Sequence, residues 1–300
     1  MLSPLDVSAS QRPVPESVSR TVSKVVRVQN RLVVNGPEVH RALFGEMLEG
    51  ALTTLTQQPT SAAAWRSILK ADDVIGLKFN RSGQVALNTT GVVAEALIAS
   101  IVAAGWPAAQ IVCIEAPSEV ESRNGTTPAI SGFAEQETDF GSGSDQLASV
   151  VDQVTAIIDV PYLKSHNIAG LTCCLKNLSH GLIKHPARYH RNGCSPYIAD
   201  IVGIPKIRSK LRLCLVDALR IVFDKGPEPS EPNVSDEGVL LASFDPVASD
   251  SIALMVLDDL RREKGLPTIK NPHQPLAFLS YAQQEGLGVT DWSRIDLVHR

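Results

Sequence analysis

Three hundred residues, 44% of them hydrophobic and 20% charged, are enough to bury a large core, and the formal net charge is −4. That acidic balance argues against general nucleic-acid binding, which needs a basic surface to displace counterions. No apolar run reaches the ~18 residues of a membrane-spanning helix, so no membrane partner is expected.

Residues 1–22 read as a polar arm containing Pro and Ser, without the basic start and apolar core of a signal peptide. Residues 23–300 read as a single α/β domain, with room for two lobes meeting near 150–165. "VVRVQNRLVV" (25–34) predicts a strand or hairpin, and "EVHRALFGEMLEGALTTL" (38–55) a helix. "DVIGLKFN" (73–80) predicts a strand, and "TGVVAEALIASIVAAG" (90–105) a helix ended by Gly105 and Pro107. "QIVCIEA" (110–116) predicts a strand. The polar, Gly/Ser-rich run 117–150 reads as a long loop or lid. "AIIDVPYL" (156–163), "LRLCLVDAL" (211–219) and "GVLLASF" (238–244) predict strands, with a Pro-rich loop at 224–238 and a helix from Pro246 to about Arg262. Strands alternating with helices imply a mostly parallel central sheet with helices on both faces.

In such sheets ligands bind beyond the carboxyl ends of the strands. The residues there are Lys78 and Asn80, Glu115, Lys164 and His166, Asp217, and Asp245. Asp245 followed by Pro246 also fits a helix N-cap with Pro at the first helical position. Asp250, one turn on, is free to face the same edge. Asp217 closes an apolar strand and needs a lysine or a metal beside it if buried.

From Val160 through Ala199 this acidic chain has no Asp or Glu, yet the stretch holds four of its seven histidines: His166, His180, His185 and His190. Ile168, Leu171, Leu175, Leu178 and Leu182 recur at helical spacing and predict a helix over 168–183. Thr172, Lys176, His180 and Lys184 form a polar stripe nearly opposite. This is either a solvated basic face or an anion site, with Lys for fixed charge and His for proton transfer. The five cysteines are odd in number and include no CxxC, so no iron–sulfur cluster or zinc-ribbon motif is encoded and a reducing, cytoplasmic setting is expected.

"VIGLKFN", "KSHNIAGLTCCLKNLSHGL", "HPARYH", "LVDAL", "KGP" and "ASFDPVASDSIAL" occur in one order. Over about residues 70 to 290 the chain resembles the family called Domain of Unknown Function 362. That resemblance carries no assigned reaction; many members bear ferredoxin-type cysteine clusters or twin-arginine signals, neither of which is seen here. Locally, His166 to Lys176 is similar to a segment of the nickel-pincer lactate racemases, with Cys173-Cys174 in place of a Gly-Gly pair. The resemblance implies an acid/base role for His166, a covalent cofactor anchor at Lys176, and a nickel ligand at His190 or His185.

The expected function is that of an enzyme for a small anionic substrate, carboxylate or phosphate. Lys78, Lys164 and Lys176 would hold the anion, with Asn80, Asn177, His180 and Arg188 completing the binding set. His166 would be the general acid/base and His190 the second. Asp217 and Asp250 would orient a lysine or bind a divalent metal. The cofactor is left open, as is a homo-oligomer. The competing expectations are a metal or organometallic-cofactor enzyme and a non-catalytic ligand-binding module.

Overall fold

The computed structural model describes residues 22–269 and 276–300; the expected arm at 1–22 lies outside them except for Val22. In chain order the first elements are β1 (Ser23–Gln29), β2 (Val34–Asn35), β3 (Glu38–Val39), α1 (Arg41–Thr56), α2 (Ser61–Ile68), β4 (Ile75–Lys78), α3 (Gln84–Leu87), α4 (Thr90–Ala104), β5 (Ile111–Ile114) and α5 (Ser118–Asn124). Then come β6 (Phe133–Asp139), β7 (Ser144–Ala148), α6 (Val150–Gln153), β8 (Ala156–Asp159), β9 (Tyr162–His166), β10 (Gly170–Thr172) and α7 (Cys174–His180). The last are α8 (Tyr197–Gly203), α9 (Pro205–Arg208), β11 (Leu211–Val222), β12 (Val234–Ser243), α10 (Pro246–Glu263), α11 (Ala277–Gln284) and β13 (Ile295–His299).

The sheet runs β13-β1-β12-β11-β8-β4-β5, with β9 on the far half of β11 and β10 on β9. The pairs β4–β5, β4–β8, β8–β11, β9–β11 and β1–β13 are parallel, while β11–β12, β12–β1 and β9–β10 are antiparallel. Alternation along each strand divides the core in two. Ile75, Leu77, Ile158 and Leu215 pack with α1, α2 and α4. Ile157, Cys214, Val216 and Leu241 pack with α7, α8, α10 and α11 on the other face. The expected mostly parallel sheet, covered on both faces, is therefore the fold. Among the described residues no helix is long and apolar enough to cross a membrane.

Three local expectations are corrected. "AIIDVPYL" is two strands: the chain steps at Val160–Pro161, where proline has no N–H for the ladder, and rejoins β11 further along. The 117–150 segment is not one long loop, because α5 and the β6–β7 hairpin fill most of it. The helix expected over 168–183 is confined to Cys174–His180. Ile168 sits on an exposed turn, and Gly170, at φ +82°, has Leu276 and Ile269 side-chain atoms where a Cβ would lie. Leu171 is in β10, and it joins Leu175, Leu178 and Leu182 in one core. The apolar period was real, but a strand supplies its first buried member.

Candidate functional site

Hairpin register sets the first wall of the site. In β9–β10, Thr172 lies opposite Lys164 and Gly170 opposite His166, so the period of two puts Lys164 and His166 on one face. In α7, Lys176 and His180 are one turn apart and share a face. His190 follows the short turn Pro186–Tyr189. These side chains line a cleft of about 370 Å³ with Asn80, Ser82, Glu115, Asn177, Gly181, Pro186, Pro227 and Glu228.

Supports behind the cleft fix these positions. Both carboxylate oxygens of buried Asp250 accept backbone N–H bonds at the start of α7, from Cys174 (2.7 Å) and Leu175 (3.1 Å). Buried Asp145, in β7, accepts from the His185 backbone N–H (3.0 Å) and lies 2.9 Å from His185 Nδ1. The β6–β7 hairpin thus anchors the loop that carries His190.

The three buried lysines do not share one role. Lys78 has no exposure and donates to Glu115 Oε2 (2.9 Å), Asn177 Oδ1 (3.0 Å) and the Phe79 carbonyl (2.7 Å). It lies behind Gly181, where a Cβ would come within 2.5 Å of its Nζ. Asn177 Nδ2 donates to Asp159 Oδ1 (2.7 Å), while Asp159 Oδ2 has no partner. Burial pushes the Asp159 carboxyl well above its usual range, against the pull of Lys78 and Asn177. Lys164 instead donates to the Ser82 carbonyl (2.8 Å) and Oγ (3.0 Å), and Lys176 Nζ lies 3.1 Å from His190 Nε2. Among the described residues neither cleft lysine has a carboxylate within ion-pair distance. Burial lowers each to about 8, Glu228 partly opposing this at Lys164 and Cys194 at Lys176.

The cleft histidines His166, His180 and His190 are all held below the usual imidazole range, and the backbone sets their tautomers. His166 Nδ1 accepts from the N–H groups of Ile168 and Ala169, each at 3.1 Å, which leaves the proton on Nε2. Burial, then electrostatic interaction with Lys176, His190 and Lys164, lowers His166 to about 3. His190 Nδ1 donates to the Pro186 carbonyl (3.0 Å), so Nε2 presents its lone pair to Lys176. Its ring stacks on His166 at 5.5 Å and meets His180 edge-on at 4.7 Å. Burial lowers His190 as well, and brings His180 to about 2. Thr172 Oγ1 is buried in the cleft wall without a hydrogen-bond partner.

Three groups of side chains among the described residues bring metal-ligand atoms within 4.8 Å of one another: His180, His190 and Cys194; Asp159, Cys174 and Cys214; and Cys173, Cys174 and Asp250. The first borders the cleft. Its His180 nitrogens lie 3.1 Å from Ser179 Oγ and 3.2 Å from the Tyr189 carbonyl, so a metal would displace one of them. In the last, both Asp250 oxygens already hold α7.

Of the residues expected from sequence, Lys164, His166, Lys176, His190, Asn80, Asn177 and His180 meet in the cleft. Lys78 stands behind it. Arg188 is exposed on the loop before His190, outside the lining. Asp217 lies mid-strand rather than at a strand exit, and accepts from Thr89 Oγ1 (2.5 Å) and the Leu219 N–H (3.1 Å). It is not brought together with Asp250 in any of the metal-ligand groups. Glu115, named at a strand exit, and Thr172, named in the polar stripe, also line the cleft, whereas sequence reasoning missed Ser82 and Glu228. Ser82 and Glu228 both follow strands, and their bond (2.7 Å) closes the cleft rim beside Lys164. Reading a few residues past each strand exit would have found Ser82. A second cavity of about 460 Å³ lies across His166, and its guanidinium, Arg261, already donates to Asp224 and the Pro267 and Phe223 carbonyls.

No curated protein matches the chain. Among solved structures, a Thermotoga maritima protein from a structural genomics programme is similar at 10% identity and a TM-score of 0.39. The match covers 75% of this chain, which spans only 60% of that one. The model of the family "Domain of unknown function (DUF362)" matches residues 74–255, a segment that includes every cleft residue described above, and the chain belongs to that family.

Proposed function

We propose that the protein is an enzyme that takes a small carboxylate or phosphate into this cleft and works on it by proton transfer. One observation carries the reading: Lys164 and Lys176 are buried in one cleft and, among the described residues, neither has a carboxylate within ion-pair distance, unlike Lys78 behind it. Uncompensated buried charge is costly, and an anionic ligand would compensate it. Lys164 and Lys176 then hold the anion. The Nε2–H of neutral His166 is a donor to a substrate oxygen, and His190 Nε2 is the base that exchanges a proton with Lys176 or the substrate. Lys78 and Asn177 are positioning residues that fix α7 against β4 and β8.

Calorimetric titration with inorganic phosphate and with lactate tests this. The wild type is expected to bind one of them at the cleft, and Lys164→Met and Lys176→Met each to weaken that binding at least tenfold. Unchanged binding in both variants would refute the anion site.

A further inference from the structure

We infer that the Lys176 amine is a nucleophile that forms an imine with the carbonyl carbon of a small 2-oxo acid, whose carboxylate Lys164 holds. This deepens the proposed function and rests on its anion site. The geometry is that of an activated amine rather than of an ion-pairing lysine. Lys176 Nζ is buried in the cleft wall, and its hydrogen-bond contact is His190 Nε2 at 3.1 Å, a nitrogen obliged to accept because Nδ1 donates to Pro186. A lysine amine is activated by desolvation and by neighbouring positive charge, and a second buried lysine lines the same cleft.

The remaining polar groups suit the other end of such a substrate. Thr172 Oγ1 is buried in the lining, unpartnered, and opposite Lys164 in the β9–β10 register. His166 brings a neutral Nε2–H, a donor that suits an oxygen gaining negative charge.

The step balances without an external oxidant or reductant. Lys176, as the ammonium, passes one proton to His190 Nε2. The amine lone pair bonds to the carbonyl carbon while the carbonyl electron pair moves to oxygen, which takes up the proton His190 carries. The nitrogen of this carbinolamine passes a second proton to His190, which delivers it to the hydroxyl as that group leaves as water. The product is a protonated imine. Overall, one ammonium and one ketone give one iminium and one water.

The experiment is reductive trapping of the full chain with pyruvate and sodium cyanoborohydride, followed by peptide mass mapping. The Lys176 peptide should gain the mass of pyruvic acid less one oxygen atom, and phosphate should suppress the gain. Lys176→Arg, which keeps the charge but lacks a nucleophilic amine, should lose the adduct. Phosphate binding without modification of Lys176 would overturn the imine and leave the anion site standing. Failure of both binding and trapping would overturn both. An adduct confined to Lys164 or exposed lysines also overturns the imine. The wild-type map decides by itself should the arginine variant not fold.

Discussion

The contrast among the three buried lysines makes a prediction about stability. Lys78→Met removes a cation that holds Glu115, Asn177 and the Phe79 carbonyl and that offsets the buried Asp159 carboxyl. Breaking one side of a buried pair costs about 3–5 kcal/mol. Methionine fills most of the lysine volume, so that loss is mainly electrostatic. Lys164→Met differs in sign. Lowering that amine from 10.5 to about 8 means that protonated Lys164 opposes folding by up to ~3 kcal/mol at neutral pH. Against this stand its bonds to Ser82, at about 1 kcal/mol each. The net expectation is a change within about 1 kcal/mol of zero or a gain. Urea unfolding at pH 7, read as the midpoint with the slope checked for constancy, measures both. If Lys164→Met destabilises as much as Lys78→Met, Lys164 is a structural lysine and the reasoning that makes the cleft an anion site is wrong.

Phosphate affinity should fall as pH rises through about 8, where both cleft lysines lose their protons, and titrations on either side of that pH would show it. Gly181→Ala should destabilise by about 1–3 kcal/mol, because the new Cβ meets Lys78 Nζ and the Asn177 carbonyl oxygen at 2.5 and 2.6 Å; a thermal-melt shift measures it. Burial raises Asp250 to about 7, so its contribution to stability is fully present below 3.8 and is lost as pH rises through about 7. Asp250→Asn should flatten the dependence of unfolding free energy on pH between those limits, and an unchanged slope would show that Asp250 does not titrate there.

The sequence by itself determined the sheet, its two apolar faces and most of the cleft residues. Strand alternation and helix periodicity are local properties of the chain, and the exits of parallel strands share one edge. The Asp245–Pro246 cap, for example, is as expected: the Asp245 carboxylate accepts from the Val247 and Ala248 N–H groups. The acid-free stretch likewise marked where the two cleft lysines lie. Only the tertiary structure decided which cations are free. Lys78, Lys164 and Lys176 look alike in the sequence, but β4 turns Lys78 toward Glu115 and α7, whereas β9 and α7 turn the other two into the cleft. The tertiary structure also decided the proton positions, because the turn at Ile168–Ala169 and the Pro186 carbonyl select opposite tautomers for His166 and His190. Asp217 and Asp250 illustrate the same limit. Their partners, Thr89 and the first turn of α7, lie far away in the chain, and no periodicity records a contact made across the fold.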